Sequence, residues 1–235
     1  MNDCSFIAKQ GAVAYIESVM NAARKKRTAS KEERQQQLIQ ATIKSVAGFG
    51  LSDTTMAVVA REAGLSQGII NLHFQSKDRL LVETLSYIAE EYRVAWEKAL
   101  HNAGDDPAEK LAALVAVDFK PQVCDRNRLA VWFAFWGESK SRPVYRKICA
   151  ARDAAYRKEL IQVCGELISR GEYDGPPAET VAACLSAMSS GCWLYLLTNP
   201  RSMSRDRALQ ICMSYLETTF PRHFPEGQRA GAKTR

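Results

Sequence analysis

Histidine is scarce in this chain: among 235 residues only His73, His101 and His223 could serve as imidazole bases or ligands. None stands in a HExxH, nucleophile-elbow or phosphate-loop context, so the common signatures of metal-assisted hydrolysis, acyl transfer and nucleotide binding are missing. No catalytic residue, metal site or cofactor is expected. Long apolar runs are missing too. No segment holds the roughly 18 to 20 uninterrupted apolar residues of a membrane span. Residues 5–20 are broken by Lys9, Gln10 and Glu17, which makes them a poor signal peptide. A cytoplasmic protein with no membrane partner is expected. The seven cysteines, Cys4, Cys124, Cys149, Cys164, Cys184, Cys192 and Cys212, show no close pair and no ligand-type spacing. Cys184 and Cys192 fall roughly 12 Å apart by helical rise, too far to be bridged within one helix. Buried, reduced thiols are the expectation. No strand pattern follows Pro107, and no internal repeat exists.

What is present is a folded composition, 46% hydrophobic and 25% charged, sized for one or two domains. The chain is organised around Thr55 to Phe74, whose spacing predicts two short helices joined at Ala63-Gly64-Leu65. Met56, Val59, Ala60 and Ala63 fall on one helical face. Gly64 suits the left-handed C-cap of the first helix, and Ser66 suits the N-cap of the second. In the second helix Ile70 and Phe74 face inward, which leaves Gln67, Gly68 and Asn71 outside near its N-terminal end. Small polar groups there suit a helix that enters the major groove, where Gln or Asn both donates and accepts at one base edge.

With Gly50-Leu51-Ser52-Asp53-Thr54-Thr55 before it and Gln75-Ser76-Lys77-Asp78-Arg79-Leu80-Leu81 after it, this stretch resembles the TetR family of repressors over Ser30 to about Tyr92. The resemblance implies an all-α fold: a three-helix DNA-binding head, then a helical ligand-binding and dimerisation domain. It implies DNA contacts from Thr54, Thr55, Ser66, Gln67, Gly68, Asn71, Leu72 and His73, and a phosphate contact from Lys77. Leu72 stands where many members carry an aromatic.

The expected organisation is a flexible basic arm at 1–29, a DNA-binding domain at 30–92 with its helix-turn-helix at 55–74, a ligand-binding and dimerisation domain at 93–223, and a loose tail at 224–235. The net charge is +6, and the stretch from Arg24 to Arg34 carries four of those charges. Beside a helix-turn-helix such a run is placed to bind phosphates, with salt-dependent affinity. The first twenty residues match nothing in the family pattern, and two readings stay open: a disordered segment, or an over-long start with Met20 as initiator. A Ser30-x-x-Glu33 capping box opens the first helix, which ends at Gly48-Phe49-Gly50. A long helix then runs from Lys77 to about 103. Five further helices are expected near 107–121, 127–139, 143–170, 177–198 and 204–219, punctuated by prolines.

In the body, Val131-Trp132-Phe133-Ala134-Phe135-Trp136, Arg142-Pro143-Val144-Tyr145-Arg146 and Gly191-Cys192-Trp193-Leu194 resemble the betaine–choline repressor branch of the same family. The resemblance implies a homodimer built on the last two long helices, a double-stranded operator as partner, and a small-molecule effector, with choline or betaine aldehyde as the leading candidate. Aromatic faces around a cavity attract a quaternary ammonium by about 0.5 to 2 kcal/mol each. The ligand set expected is Trp96, Asp118, Trp132, Phe135, Trp136, Tyr145 and Trp193, against the alternative that these rings simply fill the core. The function expected is a ligand-responsive repressor of choline and glycine betaine genes. Alternatives are a regulator of another pathway that senses a different hydrophobic or cationic effector, a helical adaptor and, last, an enzyme.

Overall fold

A computed structural model describes residues 31–225, and every regular element in that span is a helix. Helix α1 covers 31–53, followed by α2 (Met56–Ala63), α3 (Gln67–Phe74) and α4 (Lys77–Asn102). The body continues with α5 (Pro107–Val117), α6 (Pro121–Cys124), α7 (Arg126–Glu138), α8 (Pro143–Gly171), α9 (Ala178–Thr198) and α10 (Arg205–Thr219). The basic arm, the capping serine at position 30, the question of Met20, and residues 226–235 lie outside the described residues.

The head closes because α1, α2, α3 and the start of α4 each turn an apolar stripe inward. Leu38, Ile43, Val46, Val59, Ile70, Phe74, Leu80 and Leu85 are all buried, and full burial of a side chain of this size stabilises by about 1.5 to 3 kcal/mol. Gly64 takes the left-handed conformation at φ +64°, while the Leu65 N–H reaches back to the Ala60 carbonyl at 2.9 Å. That bond closes the tight turn that sets α3 across α2. The first helix differs from expectation: helical geometry continues past Gly48 to residue 53. Gly50 sits at φ +76°, and Thr54 Oγ1 donates to its carbonyl at 2.6 Å, so the turn after the glycine stays closed.

Two residues join α3 to α4. Gln75 has φ +64°, and the Ser76 N–H donates to the Phe74 carbonyl at 2.7 Å, a three-residue turn without slack. Ser76 Oγ then caps α4 by accepting from the Arg79 N–H at 3.2 Å. Because the joint is this short, α3 follows any tilt of α4.

In the body, α8 packs along α9, and α4 and α5 lie against α8. Five long or medium helices fall within a few residues of their expected ranges, and a sixth, α6, is additional. Pro121 at its first position presets the φ of a single helical turn. The same proline disfavours helical geometry at Lys120, so α5 ends at Val117 rather than near 121. Phe224, expected to open a loose tail, is instead buried against Phe220, with ring centroids 6.4 Å apart. At the C-terminus of α8, a Cβ on Gly171 would stand 2.2 Å from the Tyr173 ring, so no larger residue fits there.

Of the described cysteines only Cys184 is partly exposed; the others are buried. Burial pushes the thiols of Cys124, Cys164 and Cys212 up to about 12, so they stay protonated and act as small apolar groups. Cys192 of α9 and Cys212 of α10 face each other across the two helices. Helix α9 is long and apolar enough to cross a membrane by length and composition, with mean hydropathy 1.4. Here it is a packing helix between α7, α8 and α10. Leu194 and Tyr195 near its C-terminal end are left 45% and 55% exposed.

Candidate functional site

The outer face of the head is set by what the inner face consumes. Ile70 and Phe74 anchor α3, so Gln67, Gly68, Asn71 and Leu72 stand outward, Leu72 at 75% exposure. Ser66 holds the extended backbone of an N-cap but makes no side-chain cap bond, which leaves its hydroxyl free for a partner. Thr55 is exposed and caps α2, its Oγ1 accepting from the Val58 N–H at 3.2 Å. Gly68 has no internal reason to be glycine. A Cβ there would meet only Ser66 Oγ, at an ordinary 3.8 Å, although glycine inside a helix costs about 1 kcal/mol relative to alanine.

Three residues of the expected DNA set are placed differently from the rest. Thr54 is buried and its hydroxyl is spent on the Gly50 carbonyl. His73 is half-buried, with Nδ1 shielded and without a hydrogen-bond partner. Lys77 is half-buried, and its ammonium donates to the Ser52 carbonyl at 3.1 Å, tying the start of α4 to the end of α1. Its remaining N–H groups are available to a phosphate.

A cavity of about 260 Å³ opens in the body where α4, α5, α8 and α9 converge, lined by Tyr92, Asp118, Arg152, Asp153, Tyr156, Arg157, Trp193 and the small side chains of α9, Ser186, Ser189 and Ser190 among them. Asp118 caps the C-terminus of α5 and is buried. It accepts hydrogen bonds from Tyr92 Oη at 2.6 Å and, at 3.2 Å, from Tyr156 Oη, whose one proton is shared with the nearer Leu114 carbonyl at 2.9 Å. Burial outweighs those bonds, that of Ser189 and the Arg152 charge, and raises the Asp118 carboxyl above the ordinary aspartate range. Burial likewise lifts both tyrosines well above theirs, with the neighbouring carboxylate adding to it. Trp193 is pinned by its indole N–H, which donates to the Asp118 carbonyl at 2.8 Å.

Of the expected ligand residues, the structure brings Asp118, Trp132, Trp136 and Trp193 together. Trp136 stacks on Trp193 with centroids 6.3 Å apart and planes 14° from parallel, and Trp132 lies 6.1 Å from Trp136. Phe135 and Tyr145 are buried and pack edge-to-face on each other at 4.8 Å, away from the cavity. Trp96 is also buried and meets Tyr156 edge-on at 6.3 Å, one layer behind. A 3.6-residue period cannot separate these rings, because Trp132, Phe135 and Trp136 share one broad face.

Sequence reasoning missed Tyr92, Arg152 and Tyr156 as cavity residues. A signal for Arg152 exists: the buried stripe of α8 runs through Tyr145, Cys149, Tyr156, Leu160 and Val163, and Arg152 falls on it, three after Cys149 and four before Tyr156. A charge on an apolar stripe marks a buried polar site or a cavity. A second, wider groove of about 1190 Å³ lies between α5 and α10, with Asp106, Glu109, Asp206 and Glu217 on its walls.

Comparison with known proteins bears on both regions. Residues 38–84 match the family of bacterial regulatory proteins, tetR family, and residues 107–221 match the BetI-type transcriptional repressor C-terminal family. The chain is 30% identical over 184 residues to the HTH-type transcriptional regulator BetI of Stenotrophomonas maltophilia, covering 78% of this chain and 91% of that one. It is 30% identical over 189 residues to BetI 1 of Chromohalobacter salexigens, covering 80% and 91%. Among solved structures, a transcriptional regulator from Pseudomonas aeruginosa is 28% identical with TM-score 0.71, covering 82% of this chain and 94% of that one. A regulator from Saccharomonospora viridis, solved in complex with choline, has the same fold at TM-score 0.69 and 23% identity, covering 79% and 96%. The relatives are regulators and not enzymes. The chain belongs to the TetR family of DNA-binding transcriptional repressors and carries the ligand-responsive body of the BetI type.

Proposed function

We propose that this repressor acts as a homodimer in the cytoplasm, releases its operator when a small quaternary ammonium compound enters the cavity at Tyr92, Asp118, Tyr156 and Trp193, and controls genes for choline and glycine betaine metabolism. The observation that carries the effector reading is the convergence of aromatic rings from three helices on one cavity beside a buried carboxylate. Rings and carboxylate together attract a quaternary ammonium head, which brings no hydrogen-bond donors of its own. The choline found in the Saccharomonospora viridis regulator supports the same class of ligand.

In the head, Gln67 and Asn71 read base edges, Gly68 lets α3 approach closely, and Thr55, Ser66 and Lys77 hold the phosphates. Leu72 supplies an apolar contact and His73 the edge of the interface, while Thr54 serves by closing the turn after Gly50. Two such heads fit half-sites roughly 34 Å apart. The uncovered Leu194 and Tyr195 on a helix as apolar as α9 support pairing with a second copy through α9 and α10.

The switch follows from attachment. Tyr92 belongs to α4, and the two-residue joint makes α3 follow α4, so a ligand that shifts Tyr92 shifts the reading helix. The test is a mobility shift on the DNA upstream of its own gene, at two salt concentrations, with and without choline. A specific, salt-sensitive shift that choline releases is the expected result. A shift indifferent to choline would remove the effector reading, and no specific shift on this or other promoters would remove the operator reading.

A further inference from the structure

Arg152 occupies the position in the aromatic cage that a bound cation would take. Its Cζ lies 4.2 Å from the ring centroid of Tyr92, 4.5 Å from Trp132, 5.1 Å from Trp193 and 5.8 Å from Trp136, all inside the roughly 6 Å range of cation–π attraction. Its side chain is only 9% exposed. A buried arginine is ordinarily held by a bidentate carboxylate, and here it is not. One terminal nitrogen donates to Asp153 at 2.8 Å, while Nε is buried without a hydrogen-bond partner. The oxygens of Asp118 are engaged by Tyr92 and Tyr156. Four ring faces therefore surround a guanidinium that gives up a hydrogen bond to sit among them.

We propose that Arg152 is a resident competitor: it fills the cage in the ligand-free repressor, a cationic effector enters by displacing it, and its departure is the event that frees α4. This rests on the reading of the cavity as the effector site. A quaternary ammonium head has no N–H donors to leave unsatisfied, so it replaces the guanidinium at ring faces where the guanidinium is imperfectly served. The displaced group has somewhere to go, because Asp153 is already bonded to it and is 48% exposed at the cavity mouth. Arg152 comes from α8, whereas its rings come from α4, α7 and α9. Withdrawing it loosens α4 from the body at Tyr92. The site is thus specific for cations that outcompete an arginine already in place, and apolar molecules of equal size leave the plug seated.

The experiment is calorimetric titration of the full-length protein with choline and with tetramethylammonium, on wild type, Arg152→Ala and Arg152→Lys, together with operator binding. Arg152→Ala is expected to bind both probes at least tenfold more tightly than wild type. Arg152→Lys keeps a competing cation and should stay within a few-fold of wild type, which serves as the control if the alanine variant is poorly folded. Equal or weaker binding by Arg152→Ala, with Arg152→Lys indistinguishable from it, would overturn the proposal. So would tight binding of a carboxylate probe such as benzoate to wild type that is lost in Arg152→Ala, because Arg152 would then be an anion receptor. Tighter cation binding without operator release would uphold Arg152 as a competitor for the cage but overturn its coupling to α4, and with it the effector reading.

Discussion

Arg128 grips Glu91 across the gap between α7 and α4, its Nη2 and Nε donating to the same carboxylate oxygen at 2.9 and 3.2 Å. The contact is one link in a chain. Arg128 also holds Asp125 at 2.8 Å, Glu91 accepts from Tyr87 Oη at 2.8 Å, and Tyr87 accepts from Gln36 of α1 at 2.7 Å. Trp132 of the cage stands one turn beyond Arg128 on α7. Hydrogen bonds thus connect α7, which carries two rings of the cage, to the first helix of the head, and Arg142 at the N-cap of α8 adds a second tie from the body to α4 through Asp78 at 3.2 Å.

Cutting the first tie should separate sensing from response. Arg128→Met is expected to lower stability by about 1 kcal/mol, the upper end for a partly exposed ion pair. It should leave cation binding in the cavity intact while reducing the fraction of operator released at saturating effector. Calorimetry and a mobility shift on one preparation check both halves. Unchanged release would show that the Arg128–Glu91 link carries no coupling.

Gly68 should behave as a residue kept for DNA and not for the fold. Gly68→Ala is expected to raise stability by about 0.5 to 1 kcal/mol, because the added methyl meets nothing tighter than 3.8 Å. Operator affinity should fall at the same time. Thermal melts and anisotropy titrations read the two effects, and a variant of unchanged affinity would remove the close-approach role.

Gln67→Ala should relax preference at one operator position by about 1 to 3 kcal/mol while leaving nonspecific affinity alone. Selection from a randomised operator library measures this directly. Uniform weakening on every sequence would assign Gln67 to the phosphates.

Asp118 gives the cavity a pH dependence of known sign. A cation prefers the ionised carboxylate, so affinity should be weak while Asp118 is protonated and rise with pH through its raised value. Arg152, Arg157, Asp153, Tyr92 and Tyr156 face the same space. Asp118→Asn should bind more weakly at neutral pH, with a flat profile. In stability, the native state holds the Asp118 proton longer than the unfolded chain. Its contribution is therefore full below the ordinary aspartate value and is lost as pH rises through the raised one. Calorimetric titrations from pH 4.5 to 7.5 test the binding profile.

The head was legible in the sequence because its rules are local: Gly64 as a left-handed cap, Ser66 as an N-cap, and Ile70 and Phe74 four apart fix α2 and α3 without long-range information. The body helices were legible for the same reason, since Pro107 and Pro143 mark first turns, whereas Pro121, expected to close the helix from 107, instead opens α6. The cavity was only half legible. The resemblance to the betaine–choline branch points to Trp193 and Asp118, which line the cavity, and to Trp132 and Trp136, which face Arg152. Which rings meet, however, depends on how α4, α7, α8 and α9 cross, and that crossing sends Phe135 to Tyr145. Arg152 was hidden because a charged residue in a helix usually reads as a wet face, and only its place on the buried stripe of α8 says otherwise. Thr54 looked like a DNA contact beside Thr55, and only the turn after Gly50 shows its hydroxyl to be in use.

The most direct test of the switch is reciprocity. Effector affinity would be measured calorimetrically for the free repressor and for the repressor saturated with operator. If the ligand in the cavity and the DNA on α3 bias the same tilt of α4, operator must weaken choline binding by the factor that choline weakens operator binding, roughly 5- to 150-fold for coupling of typical size. Equal choline affinity with and without operator would contradict the account, because a ligand indifferent to the DNA-bound state cannot release it.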